Sequence, residues 1–435
     1  MRTEHLQDNA MEQVTSRTSN IFNLIMTIVI IAVAITPMLN RIFSEIMNVI
    51  LFAVWVITIV MANVKINKGK DIIFSWIGVL LYQLIMIIIG HSIASPNVII
   101  ARTPNYMIPA MMVLIISNYN KKELKVLINA IFIIVALNLL SNIFIGFVHP
   151  EYFEVINLAD EGSEEFKSNV GSTTFVTVCL FFIPIMLFTA RYHKAKVPMM
   201  VLLFLASCYF IVILNARGVA VILLVLMIFG LLWSKRNHDI LSVKSLLKLV
   251  PIILIIGYFI IPVLTFLAES FSELEGMAGK MAVKFSDISD LVSAGGNIEA
   301  LGDHSFYKRI ILWMTSWDSF TQSLSSFIWG IGENTHESDY YSLIKSGVGG
   351  HSEILDLLAM YGIIGGLIYY KAFKATFSFI IRQASVEIKD KVKFVLVIYI
   401  IYSICNTTLI PAVSFIVFFL FPIVLYYDDK YVKLV

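Results

Sequence analysis

The sequence has few charged residues. Only 14% of its 435 residues are Asp, Glu, Lys or Arg, whereas soluble domains carry about 25%. Hydrophobic residues make up 58% of the chain, and its mean hydropathy is +0.85. Such a chain cannot cover a water-exposed surface, which excludes a soluble enzyme or a nucleic-acid-binding module. We predict an all-α polytopic membrane protein with a single integral membrane domain over residues 1–435.

The sequence also lacks the motifs of disulfide, metal and nucleotide sites. The three cysteines, Cys179, Cys208 and Cys405, lie singly inside apolar runs, so we expect neither a disulfide nor a cysteine metal site. No cluster of His, Cys, Asp or Glu has metal-ligand spacing, and we find no glycine-rich phosphate loop or nucleophile elbow. The first twenty residues lack the pattern of a cleaved signal peptide, so the first span is expected to remain in the protein. We predict no metal and no cofactor.

Long apolar runs dominate what is present. A helix needs roughly 20 apolar residues to cross a bilayer, and the chain contains twelve candidate spans. They lie near residues 20–38, 46–64, 72–91, 98–118, 124–147, 172–190, 198–214, 218–234, 249–268, 353–370, 393–409 and 411–428. The amphipathic segment 373–390 is expected to lie at the membrane interface.

The distribution of Lys and Arg sets the orientation. With both termini in the cytoplasm and alternating spans, 23 of the 32 Lys and Arg residues lie inside and nine outside, as the positive-inside rule requires. Two long segments then face outward, residues 148–171 and residues 269–352. Loops of this length are usually functional, so we expect the active groups on the outer face.

The few outward-facing cations are candidates for binding an anion. Arg217 stands alone in the short junction NARG between two spans, where a cation is costly unless it serves a function or reaches lipid headgroups. A guanidinium can grip two phosphate oxygens at once. Arg309 and Lys308 open an amphipathic stretch, while Arg102 starts the fourth span and Lys167 lies in an acidic loop. For these four the alternatives are solvated or interfacial charges.

Titratable side chains lie at the outer end of the tenth predicted span. His351 and Glu353 begin the sequence HSEILDLLAMYGIIGG. A histidine can remove a proton from an attacking group near neutral pH, and Glu353 could orient it or act in its place. The alternative for His351 is a local hydrogen bond at a helix start. Gly362, Gly365 and Gly366 more often permit close helix packing than chemistry.

The middle of the large outer loop has apolar residues at helical spacing. Ile310, Trp313, Met314, Trp317 and Phe320 follow a helical period. The glycines of IWGIG then end the pattern, so the sequence predicts a loop helix followed by a turn.

Taken together, these motifs resemble a known family. NARGVAVILLVLMIFG, YKRIILWMTSWDSF followed by IWGIG, and HSEILDLLAMYGIIGGLI are similar to motifs of the O-antigen polymerase and O-antigen ligase superfamily of bacterial inner membranes. KSNVGSTTF before the sixth span is a weaker match. The order, spacing and common side of the motifs support the resemblance over the whole chain.

The resemblance implies a metal-independent glycosyltransferase at the periplasmic leaflet of the inner membrane. Its donor and acceptor would be oligosaccharides on undecaprenyl pyrophosphate in the lipid bilayer, and a chain-length regulator protein is a plausible partner. Arg217 and Arg309 would stabilise the pyrophosphate and His351 would accept the hydroxyl proton. Arg102, Lys308, Glu353 and Lys167 would contribute to substrate binding.

Three functions remain open from the sequence. Two sizeable outer loops favour a polymerase, which joins lipid-linked repeat units. A ligase would use the same donor and transfer the glycan to the lipid A core. A transporter or flippase also fits twelve spans, but the sequence lacks two related halves and its long outer loop follows the ninth span.

Overall fold

The part of the chain that the structure describes is helical apart from short turns and connectors. This computed structural model describes residues 21–36, 50–57, 69–89, 96–149, 173–192, 194–214, 218–233, 305–332 and 352–432, with the single residues 39, 43 and 66. The description covers the backbone only over residues 96–102, 104, 173, 192, 194, 213, 218, 233, 305–309, 431 and 432. No β-strand occurs in these segments, in agreement with the predicted all-α class.

We label the helices in chain order. They are α1 (Ile21–Ile35), α2 (50–57), α3 (Lys70–Ile88), α4 (Pro96–Asn118), α5 (Lys121–Val148), α6 (Thr173–Tyr192), α7 (Val197–Tyr209), α8 (Gly218–Trp233), α9 (Ser305–Thr321), α10 (Leu324–Trp329), α11 (Glu353–Gln383), α12 (Lys389–Cys405) and α13 (Pro411–Lys430). The five residues after α7, Phe210–Leu214, form a π-helical turn.

Five of these helices are long and apolar enough to cross a membrane, namely α3, α5, α6, α11 and α13. Large apolar side chains such as Phe74, Ile133, Leu137 and Phe144 are more than half exposed on their outer faces. Apolar outer surfaces of this kind suit contact with lipid rather than water. The chain is therefore a membrane protein.

Helices occur where the sequence predicts spans. Every predicted span overlaps a helix except 249–268, which lies outside the described residues. Residues 373–383, part of the segment predicted to lie at the interface, continue α11 and do not start a new helix. Their position at the membrane interface stays a prediction. The apolar face of α11 continues through buried Phe379 and Ile380, so the helix ends only at the turn of residues 384–388.

The last two predicted spans are separated by an extended connector. After α12 the backbone is extended at Asn406 and again at Ile410, and Pro411 then starts α13. Proline suits the first turn of a helix because its missing N–H would have no partner there. The connector thus lies at the end of α12 that meets the start of α11, since the Glu353 amide donates to the Asn406 carbonyl.

Polar side chains in the helix bundle bind one another. The Gln83 side-chain nitrogen lies 2.7, 2.9 and 3.0 Å from the hydroxyls of Tyr369, Tyr361 and Tyr106. All four residues are buried. Buried polar groups inside a membrane protein need partners within the protein. This cluster therefore ties α3, α4 and α11 together.

The two ends of the bundle are defined by contacts between distant segments. At one end Arg191, at the close of α6, forms an ion pair with Glu387 after α11. At the other end Thr177, near the start of α6, hydrogen-bonds to Tyr402 near the end of α12 at 2.7 Å. Glu353 starts α11 at this second end, where the predicted active groups are expected.

Candidate active site

Helix α11 begins at Glu353, two residues after the predicted base, His351. Its N-cap is Ser352, whose hydroxyl accepts a hydrogen bond from the Leu355 amide at 3.2 Å. Two acids, Glu353 and Asp356, occupy the first turn. Negative charge is favourable there, because the first amides of a helix point outward and lack helical partners.

Glu353 holds the connector between α12 and α13. Its Oε2 atom accepts the backbone amides of Thr408 and Leu409, both at 2.9 Å. The carboxylate is buried with the rest of the residue, at 9% exposure. These contacts support a structural role for Glu353, while its predicted part in substrate binding remains a prediction.

Asp356 holds the loop helix α9. Its Oδ1 atom accepts the Ser316 hydroxyl at 2.6 Å, and its Oδ2 atom lies 3.5 Å from the Ser352 amide. Both Asp356 and Ser316 are buried. The sequence reasoning did not single out Asp356. The available signal was an acid in an otherwise apolar helix, one turn after the predicted histidine.

The predicted loop helix is confirmed, but its buried face differs from the apolar stripe. Helix α9 buries Leu312, Ser316 and Phe320, whereas Met314 and Trp317 are more than half exposed. Ser316 takes the central position because its hydroxyl meets Asp356. The buried face of α9 therefore carries this hydrogen bond between two buried apolar side chains.

The IWGIG turn packs directly on a break in α11. Gly362 has φ 61° and ψ −166°, which interrupts the helix. Gly330 and Gly332 have φ values of 81°. A Cβ atom on Gly330 would overlap the Met360 backbone, and one on Gly362 would overlap the Ile328 backbone. The glycines are needed because two backbones approach each other without side chains between them.

The break leaves carbonyl groups that other segments bind. In an unbroken helix the carbonyls of residues 359–361 would accept the amides of residues 363–365. Here the Ala359 carbonyl accepts the Ile331 amide at 2.8 Å, and the Met360 carbonyl accepts the Gly332 amide at 3.0 Å. The Tyr361 carbonyl accepts the Tyr82 hydroxyl at 3.0 Å. The amides of the IWGIG turn and the Tyr82 hydroxyl of α3 therefore stabilise the kink in α11. The bonds from Ile331 and Gly332 also hold the IWGIG turn against α11.

Arg217 lies outside the described residues, but its flanking segments are described. The π-helical turn before it contains Phe210, whose ring packs on Phe175 with centroids 5.3 Å apart. Phe175 is two residues from Thr177, which hydrogen-bonds to Tyr402. Since Tyr402 lies near the end of α12, the π-helical turn before Arg217 lies toward the same end of the bundle as Glu353.

The other predicted site residues are placed as follows. His351 and Lys167 also lie outside the described residues, although His351 adjoins Ser352. Arg102 lies in α4, and Lys308 and Arg309 lie in the first two turns of α9, with side chains outside the description. The roles proposed for these residues stay predictions.

Within the described residues, no group of three or more His, Cys, Asp or Glu side chains could hold a metal ion. The two acids nearest the predicted histidine are instead bound to backbone amides and a serine hydroxyl. Cys179, Cys208 and Cys405 form no disulfide with one another. The first turn of α11 thus binds two other segments. Glu353 binds the connector after α12, and Asp356 binds α9.

Comparison with known proteins finds a match over the region that contains the first turn of α11 and the α9 segment bound to it. Residues 200–370 match a family model described as O-antigen ligase. The match includes the NARG junction, α9, the IWGIG turn and the His-to-glycine segment of α11. No curated protein matches the chain. The match supports the resemblance of residues 200–370 to the superfamily of O-antigen polymerases and ligases.

Proposed function

We propose that the protein is an O-antigen polymerase of the bacterial inner membrane. It transfers a glycan from undecaprenyl pyrophosphate to a sugar hydroxyl of another lipid-linked repeat unit. In this proposal twelve helices span the membrane, both termini lie in the cytoplasm, and the site faces the periplasm. The supporting observation is that the turn after the predicted Arg309 helix packs on the kink of the helix that follows His351.

The proposed reaction is a displacement at the anomeric carbon of the donor. The acceptor oxygen forms a bond to that carbon while the bond to the pyrophosphate oxygen breaks, and the pyrophosphate lipid leaves with the bonding electrons. His351 takes the proton of the acceptor hydroxyl. Arg217 and Arg309 stabilise the negative charge that develops on the leaving pyrophosphate. Because these two cations serve that purpose, the proposed reaction needs no metal.

Contacts at the two ends of the bundle support the proposed topology. Positive-inside counting assigns Arg191 and the 384–388 turn to the same side, and Arg191 pairs with Glu387. It assigns Glu353 and the connector of residues 406–410 to the opposite side, and these two hydrogen-bond to each other. Both contacts are consistent with alternating spans and an outward-facing site.

A ligase is the second candidate function, and the description of the matching family favours it. The donor and the chemistry would be the same. The acceptor would be a sugar hydroxyl of the lipid A core, so that a completed glycan is transferred once. The two functions are distinguished by the product.

The test is an assay of the purified protein in lipid vesicles with the host's undecaprenyl-pyrophosphate-linked repeat unit. A ladder of lengthening glycans would support the polymerase. Transfer only after lipid A core is added would support the ligase. No product with either acceptor would refute both functions and favour a transporter. Activity should persist with a metal chelator.

Point variants then test the proposed roles. Arg217→Ala, Arg309→Ala and His351→Ala should each abolish product formation. Arg382→Ala is the matched control, because Arg382 is an exposed cation at the opposite end of α11 that hydrogen-bonds to its own helix. It should keep wild-type activity.

A further inference from the structure

We propose that Asp356 is a positioning residue that fixes the helix carrying Arg309 against the helix that follows His351. The inference rests on the proposed function, because it assigns Asp356 a task in that reaction. Asp356 does not contact substrate in this proposal. It acts through Ser316 of α9.

The contact is short and shielded from water. The Ser316 hydroxyl donates to Asp356 Oδ1 at 2.6 Å, and the two residues are only 1% and 6% exposed. A buried carboxylate costs free energy unless hydrogen bonds compensate it. Here the first turn of α11 favours the charge, and the Ser316 hydroxyl binds it. Asp356 can therefore bind α9 with only a small free-energy cost for burying its carboxylate.

Helical register connects this contact to Arg309. Residue 309 precedes Ser316 by seven positions, or two turns, so its backbone position lies on the same face of α9. Two turns correspond to about 10 Å along the helix axis. A rotation or a slide of α9 about the Ser316 contact would therefore displace residue 309 relative to the start of α11.

The other attachment of this segment reaches α9 through α10, where the ring centroids of Phe320 and Phe327 lie 4.9 Å apart. The IWGIG turn is fixed to α11 by the backbone bonds of Ile331 and Gly332, but it follows α10. A bend at residues 322 and 323 separates α10 from α9. The side-chain bond from Ser316 to Asp356 joins α9 to α11 directly, and it is directional, unlike the apolar burial of Leu312 and Phe320.

The expected consequence of losing this bond is a less firmly held α9 and a slower chemical step. Transition-state stabilisation depends on placing charged groups to within a fraction of an ångström. If α9 loses this bond, Arg309 is misplaced relative to His351 and the chemical step slows. We expect Asp356→Ala to lower kcat by about tenfold, with the donor KM changed by less than about threefold.

A double-mutant cycle tests the inference with a matched control. The variants are Asp356→Ala, Ser316→Ala and the double variant. Ser319→Ala is the control, because the Ser319 hydroxyl donates to the Thr315 carbonyl within α9 and its loss should leave kcat unchanged. Asp356→Asn keeps an oxygen that can accept from Ser316, so it should retain more activity than Asp356→Ala.

The cycle has two outcomes. If the bond is the cause, both single variants lower kcat and the double variant is no slower than Asp356→Ala. If Ser316→Ala keeps wild-type kcat, or if the two effects multiply, the proposal is overturned.

Hydrogen exchange supplies a readout that does not depend on activity. In Asp356→Ala the amides of Ser305–Thr321 should exchange faster than in wild type, while those of Lys389–Cys405 should not change. Equal exchange in α9 would overturn the positioning role. Absence of glycan transfer by the wild-type protein would refute the proposed function instead, so the two failures are distinguishable.

Discussion

Replacing Gly362 with alanine tests the contact between the IWGIG turn and α11. Gly362 has φ 61° and ψ −166°, a backbone conformation that side chains other than hydrogen rarely permit. An added Cβ atom would lie 2.5 Å from the Gly330 amide nitrogen and closer still to the Ile328 carbonyl oxygen. These atoms belong to backbone, so they cannot move aside by a change of rotamer.

The cost follows from two contributions. Forcing an L-residue into this conformation costs about 1–3 kcal/mol. Separating the two backbones would weaken the hydrogen bonds from Ile331 and Gly332, each contributing about 1 kcal/mol. We therefore expect Gly362→Ala to destabilise the protein by about 3–5 kcal/mol and to abolish glycan transfer.

The stability of each variant can be measured by thermal labelling of the buried Cys179 thiol. Cys179 is completely buried, so a thiol-reactive fluorophore reaches it only when the helix bundle opens. With Cys208 and Cys405 replaced by alanine, the midpoint of thermal labelling reports unfolding around α6. Gly78→Ala is the matched control, since a Cβ atom there meets nothing within 4 Å and alanine favours a helix interior.

The comparison has a clear negative result. We expect a lower midpoint for Gly362→Ala and an equal or higher midpoint for Gly78→Ala. If Gly362→Ala labels at the wild-type temperature and transfers glycan normally, the close approach of the two backbones does not exist as described.

Three further predictions follow from named contacts. Tyr82→Phe removes the hydroxyl that binds the Tyr361 carbonyl and should lower the thermal labelling midpoint by an amount equivalent to about 1 kcal/mol, whereas exposed Tyr370→Phe should not. Glu353→Ala leaves two buried amides without their acceptor and should lower the midpoint more than Glu353→Gln; a loss of activity in Glu353→Gln at an unchanged midpoint would instead support direct substrate binding. Arg217→Lys should be nearly as inactive in the vesicle assay as Arg217→Ala, because lysine cannot hold two phosphate oxygens in one plane, and wild-type turnover by the lysine variant would exclude the bidentate grip.

The helical architecture was largely predictable because membrane helices are specified by their own composition. Each span must carry an apolar run of sufficient length, and that run is visible without knowledge of its neighbours. The loop helix α9 was also predictable from local periodicity. The continuation of α11 through residues 373–383 was missed, because an amphipathic pattern does not distinguish an interfacial helix from the end of a long one.

The residues of the candidate site were also only partly predictable from the sequence. Motif spacing alone identified Arg217, Arg309 and His351 as candidates and gave the family resemblance, which the match over residues 200–370 supports. Spacing did not indicate that Asp356 binds Ser316, forty residues earlier, because that contact depends on how α9 packs on α11. The sequence left Glu353 open as a base, as a group that orients His351 or as a substrate-binding residue. Its bonds to Thr408 and Leu409 suggest a structural role instead.

The sequence by itself determined which segments are helical and which residue types are available for chemistry. Both are local properties, set by side-chain polarity and backbone conformational preference. Only the tertiary structure decided that Gly330 and Gly362 lie against each other and that two first-turn acids hold three distant segments together. Those contacts are made between elements remote in the chain, so their free energies depend on packing geometry that no single segment contains.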